Sequence, residues 1–149
     1  MRAPSYAYRG FTLIELIAAI TIVAILAAVS LPKLTAATPF QQRGYADVVA
    51  ASLRQARATA IASSCDVQFT INGLGFRALQ RAASGTHCAS AGAFVTPLLD
   101  GLPPRGVVPS ASRIVVFRGA TGALTGATTT INLGPQVITI DASGTVFGP

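Results

Sequence analysis

Charge is scarce in this chain, and so are the side chains that carry chemistry. Charged residues make up 11% of its 149 residues and hydrophobic ones 51%, where soluble domains carry about 25% charged residues. Trp is absent, His87 is the sole His and Glu15 the sole Glu. The remaining acids, Asp47, Asp66, Asp100 and Asp141, are spread over helical and turn-like sequence, where Asp bonds its own backbone. General acid–base or nucleophilic chemistry needs groups within reach of one another. Here His87 has no nucleophile pattern around it and reads as a loop residue. Two cysteines without CxxC spacing and a single His also make no zinc set. Asn72-Gly73-Leu74-Gly75 precedes strand-like sequence, so its glycines turn a hairpin and do not cradle a phosphate. The chain therefore reads as a non-enzyme with no cofactor and no metal.

What the chain does have is one long apolar run. No charged residue falls between Leu16 and Pro32. Residues 11–31 would form a helix of roughly 31 Å at about 1.5 Å per residue, which matches the hydrocarbon core of a bilayer. The formal net charge is +6, from 10 Arg, 1 Lys and 5 acids. That excess suits solubility and attraction to anionic lipid headgroups; the sharper alternative is nucleic acid. Cys65 and Cys88 both lie beyond the apolar run. Two cysteines past a membrane anchor suggest one disulfide in an oxidising compartment, contributing roughly 3 kcal/mol; two buried thiols are the alternative.

Three readings compete for the N-terminal segment. A secretory signal peptide has an apolar stretch of about 7–15 residues and a small-residue cleavage site; this stretch is too long, and Glu15 interrupts it. A plain transmembrane anchor fits the length but leaves Glu15 unexplained. A carboxylate in hydrocarbon costs about 2.5–3.5 kcal/mol, so by default it marks a site with a partner. The third reading rests on Arg9-Gly10-Phe11-Thr12-Leu13-Ile14-Glu15. This segment resembles the leader and cleavage motif of type IV prepilins and type II secretion pseudopilins. The resemblance implies that residues 1–10 are a leader and that a prepilin peptidase cuts between Gly10 and Phe11. It also implies that Phe11 becomes the N-methylated first residue, and that Glu15, fifth in the mature chain, pairs with a neighbouring subunit's N-terminal amine. Arg2 and Arg9 would hold the leader on the cytoplasmic side.

Beyond the anchor, Pro32 falls inside the continuing helical pattern, where a proline removes a backbone hydrogen bond and kinks the helix. Thr38-Pro39 marks a second break. Amphipathic helix resumes over 43–62, with Tyr45, Val49, Leu53, Ala56 and Ala60 on one face and Arg43, Asp47, Arg54 and Arg57 on a solvated one. After Ser63-Ser64 the period changes to two. Asp66–Ile71 and Phe76–Gln80 read as a hairpin, 82–93 as a loop, and Phe94–Leu99 and Ile114–Phe117 as strands. Gly119–Ala127 reads as a turn, Thr128–Leu133 and Val137–Ile140 as a second hairpin, and Thr145–Phe147 as a last strand.

The predicted fold is thus α+β: a long N-terminal helix followed by six or seven short antiparallel strands. Its segments are a leader (1–10), a transmembrane and assembly helix (11–32), its amphipathic continuation (33–62) and a β-rich periplasmic or extracellular head (63–149). The order of features from Ala46 through the Val116–Gly119 strand and turn to the closing Ile138–Gly144 segment resembles the H-type (GspH/FimT) branch, and is also similar to minor pilins of the mannose-sensitive haemagglutinin type. That implies a minor pilin or pseudopilin of the bacterial inner membrane, partnered by prepilin peptidase, other subunits and membrane lipid. The alternative is a FimT-like DNA-capturing minor pilin. Its candidate phosphate contacts are Arg77, Arg81, Arg105, Arg113 and Arg118, although the chain ends without the C-terminal arginine pair expected of that group.

Overall fold

The computed structural model describes residues 12–35, 39–84, 87–88 and 91–149, with backbone only at 29–35, 83–84 and 87. It divides into two compact units, residues 1–36 and 37–149.

The first unit holds helix α1, Leu13–Thr35. Thr12 caps it: the Glu15 backbone N–H donates to Thr12 Oγ1 at 3.3 Å, and the Leu16 N–H donates to the Thr12 carbonyl at 3.2 Å. Thr-x-x-Glu is the sequence form of a capping box, which satisfies N–H groups a helix start leaves free. Pro32 lies inside α1, one turn before its end, so the helix does not stop at Leu31.

Helix α2, Pro39–Ser63, opens the second unit. It begins four residues earlier than the amphipathic pattern suggests, because proline fits the first helical position, where its missing N–H costs nothing. Of the expected 33–62 continuation, Lys33–Thr35 belong to α1 and residues from Pro39 onward to α2. Ser64, at φ 53°, ends α2 in the left-handed region. Its N–H donates to the Ile61 carbonyl and that of Cys65 to the Ala60 carbonyl, both at 3.2 Å. This is a Schellman motif built on serine where glycine is usual, and it turns the chain straight into the first strand.

Nine strands follow among the described residues. They are β1 (Val67–Asn72), β2 (Gly75–Arg81), β3 (Ala83–Ser84), β4 (His87–Cys88), β5 (Phe94–Gly101), β6 (Arg113–Phe117), β7 (Thr129–Leu133), β8 (Gln136–Ile140) and β9 (Val146–Phe147). A four-stranded antiparallel sheet runs β5-β2-β1-β6, a three-stranded one runs β7-β8-β9, and β3 pairs with β4 alone. Both long hairpins lie where the period-two alternation put them. The expected loop over 82–93 instead contains β3 and β4. Two-residue strands are too short to carry an alternation, so the sequence gives no sign of them.

Period two buries one face of each sheet. Val67, Phe69, Ile71, Phe76, Ala78, Val115 and Phe117 point inward from the larger sheet, and Ile131, Leu133, Ile138 and Ile140 from the smaller. They close over α2, whose Tyr45, Val49, Leu53, Ala56 and Ala60 are all buried as the helical spacing predicts. Ala46 and Ala50 join them, widening the apolar stripe to the usual two columns. Phe76 stacks on Phe69 at 5.4 Å and tilts against Tyr45 at 6.3 Å between ring centroids. Among the described residues the core lies within the second unit.

Candidate functional site

Two regions carry the residues the sequence singles out: the start of α1 and the arginines of the head. Gly10 and Phe11, the expected cleavage site and methylated residue, lie outside the described residues. Glu15 stands in the first turn of α1. Its backbone N–H is used by Thr12, while its carboxylate is solvent-exposed and makes no hydrogen bond or ion pair among the described residues. The helix dipole presents partial positive charge at this end, which favours an anion there.

Around Glu15 the helix is apolar on every side. Leu13, Ile14, Leu16, Ile20, Ile22, Val23, Ile25 and Leu26 are each more than half exposed within this chain. A helix apolar all round needs lipid or other protein around it. The Thr21 hydroxyl turns inward, Oγ1 donating to the Ala18 carbonyl at 2.8 Å. Among the described residues no helix is long and apolar enough to cross a membrane. The part of α1 with described side chains, Leu13–Ala28, comes to about 24 Å at 1.5 Å per residue, short of the roughly 30 Å of a hydrocarbon core.

The two cysteines are joined. Cys65 and Cys88 form a disulfide with Cα atoms 5.4 Å apart, within the usual range for this bond. It ties β4 to the segment that leaves α2, so the free-thiol alternative falls away.

The five head arginines do not form one patch. Arg81 is committed to the fold: Nη2 pairs with Asp66 Oδ2 at 3.0 Å, Nη1 donates to the Gly92 carbonyl at 3.0 Å, and the guanidinium lies 4.6 Å from the Phe94 ring centroid. Arg77 is exposed and stands opposite Asp100 in the β2–β5 register. Arg105 is exposed in the β5–β6 connection. Arg113 opens β6 and Arg118 follows directly after its last residue, about 17 Å apart at 3.3–3.4 Å per residue. The strand register puts Arg77 near the Arg113 end and Arg81 near the Arg118 end.

Three residues do more than their sequence positions suggest. Asp66 does not merely cap its own turn: Oδ2 holds Arg81, and Oδ1 accepts the Gly119 N–H at 2.9 Å. One carboxylate thus joins the start of β1, the end of β2 and the exit of β6. Arg54 and Arg57, expected on a solvated face, reach carbonyls of the C-terminal segment and of the β6–β7 connection. Their partners are main-chain oxygens, which have no side-chain signature to read. Asp141 matches its sequence reading, Oδ1 accepting from Ser143 Oγ at 2.7 Å and from the Thr145 N–H at 2.9 Å. These bonds hold its carboxyl below the ordinary aspartate range, the Ser143 hydroxyl contributing most.

Comparison with known proteins bears on both regions. Residues 6–31 match the prokaryotic N-terminal methylation motif, a span that takes in Gly10, Phe11 and Glu15. The fold is similar to that of the type IV minor pilin FimU of Pseudomonas aeruginosa PAO1, seen in two crystal forms. In one the TM-score is 0.51 at 19% identity, covering 71% of this chain and 90% of FimU. In the other it is 0.52 at 21% identity, covering 74% and 92%. The chain is type IV pilin-like. No curated protein matches it.

Proposed function

We propose that this pilin-like chain is a minor pilin or pseudopilin, made as a precursor and built into a type IV pilus or type II secretion pseudopilus. Prepilin peptidase removes residues 1–10 between Gly10 and Phe11 and methylates the Phe11 amine. The apolar helix over 11–32 anchors the subunit in the bacterial inner membrane, with the head on the periplasmic side. Pro32 bends that helix as it leaves the bilayer. On extraction from the membrane, the apolar stripe packs among neighbouring helices and Glu15 sets the register. The H-type branch and a priming role near the fibre tip belong to this reading, supported by the likeness to a minor pilin.

One observation carries the proposal. Glu15 is a carboxylate with no hydrogen bond or ion pair among the described residues, in the first turn of an apolar helix, inside the segment that matches the methylation motif. An isolated carboxylate is costly in hydrocarbon, and pairing with a cation removes most of that cost. The positive amine of an adjacent mature subunit supplies that cation. Glu15→Val should therefore leave leader removal intact and lower incorporation into sheared fibres at least tenfold, read by immunoblot of membrane and fibre fractions. Wild-type incorporation of this variant would sink the proposal. The alternative of DNA capture by the head arginines is the weaker reading, because Arg81 is held by Asp66 and the five do not form one patch.

A further inference from the structure

Arg54 and Arg57 stand one turn apart on the flank of α2 that meets the end of the chain. Like charges at this spacing repel, yet both guanidiniums are held in place. Arg54 Nη2 donates to the Val146 and Gly148 carbonyls at 3.4 Å. Arg57 donates from Nε to the Gly122 carbonyl and from Nη2 to the Ser143 carbonyl, both at 3.3 Å. Carbonyls orient a guanidinium without neutralising it, and among the described residues neither arginine has an ion-pair partner. Asp141 interacts with Arg57 through charge and not through a close ion pair, its Oδ1 accepting from Ser143 and Thr145.

The site is also concave. A cavity of about 240 Å³ opens beside the pair, lined by Arg54, Arg57, Ile61, Gly144, Thr145 and Val146. Gly144 lines it and packs closely against Gly122. Gly122 and Gly144 both have positive φ, and a Cβ on Gly144 would collide with the Gly122 carbonyl oxygen that Arg57 holds. Backbone packing thus fixes where the Arg57 guanidinium sits.

We propose that this cleft binds a phosphate group. Each guanidinium has five N–H donors, so both retain donors beyond those given to carbonyls. Planar forks of this kind match phosphate oxygens bidentately. Free or terminal phosphate carries up to two negative charges and can offset both arginines, whereas a carboxylate or a phosphodiester offsets one. The phosphate is either free or terminal, or else the backbone diester of a nucleic acid. The site is distinct from the dispersed arginines of the β-sheet.

The test uses the full-length processed chain in non-ionic detergent micelles, with ¹⁵N-labelled arginine and NMR detection of side-chain Nε–H signals. Inorganic phosphate is titrated at constant ionic strength, then an oligonucleotide lacking terminal phosphates. Saturable shifts confined to Arg54 and Arg57, weakened about tenfold or more in Arg54→Gln, support the site. A response to phosphate alone assigns free or terminal phosphate; a response to both admits the diester. Shifts absent at Arg54 and Arg57, or spread equally over Arg77, Arg105 and Arg113, overturn it. The wild-type titration decides the matter even where the variant folds poorly.

Discussion

Individual residues do long-range work in this head. Asp66 joins three segments through two strong acceptor contacts, and Gly119 is the partner that makes the second one possible. A Cβ on Gly119 would collide with the Ser64–Cys65 peptide, so only glycine lets the β6 exit approach the end of α2 closely enough to donate. Hydrogen bonds to charged groups contribute about 1.5–3 kcal/mol each when buried, and less here because the Asp66 side chain is 32% exposed. Asp66→Ala should lower the stability of the head by about 1–3 kcal/mol, seen as an earlier midpoint in urea with an unchanged slope. A loss below a few tenths of a kcal/mol would mean the bridge is incidental. Asp141 acts more locally, and its signature is pH. A carboxyl lowered in the folded state contributes stability above its unfolded pKa, and the contribution fades as pH falls through the folded value. The stability gap between wild type and Asp141→Asn should therefore be present at neutral pH and close below about pH 4. An equal gap at pH 3 and pH 7 would contradict this role.

At the scale of elements, α2 and the Cys65–Cys88 bridge organise the head. The disulfide spans 23 residues that include the β1–β2 hairpin, and cross-links of that length contribute about 3 kcal/mol. Replacing both cysteines by serine should cost the head about that much, measured by chemical denaturation of oxidised wild type against the variant; unchanged stability would show the bridge to be dispensable. Most of these elements are legible in the sequence because they have a period. Val67, Phe69 and Ile71 alternate cleanly, and Tyr45, Val49, Leu53, Ala56 and Ala60 mark one helix face, so α2, β1, β2, β6, β7 and β8 lie close to their expected bounds. What escapes is what has no period. β3 and β4 are two residues each, and the Schellman turn at Ser64 lacks its usual glycine. Likewise, nothing in Arg54 or Arg57 distinguishes a carbonyl clamp from a solvated face. The N-terminal motif was legible for the opposite reason: its residues must fall in register within a few positions, and a short dense pattern survives where diffuse fold resemblance fades.

The whole molecule joins two unlike units. The second has its own core and disulfide. The first is an apolar helix whose described side chains are exposed, and the proposed function has lipid and then other subunits cover them. On this account the chain is a precursor whose N terminus is remade before the subunit works. The most direct test is the mass of the N-terminal peptide after co-expression with a prepilin peptidase in a bacterial membrane. The account predicts a mature chain beginning at Phe11, with residues 1–10 absent and one methyl group on the Phe11 amine. A chain retaining Met1 to Gly10, or cut elsewhere, would contradict it.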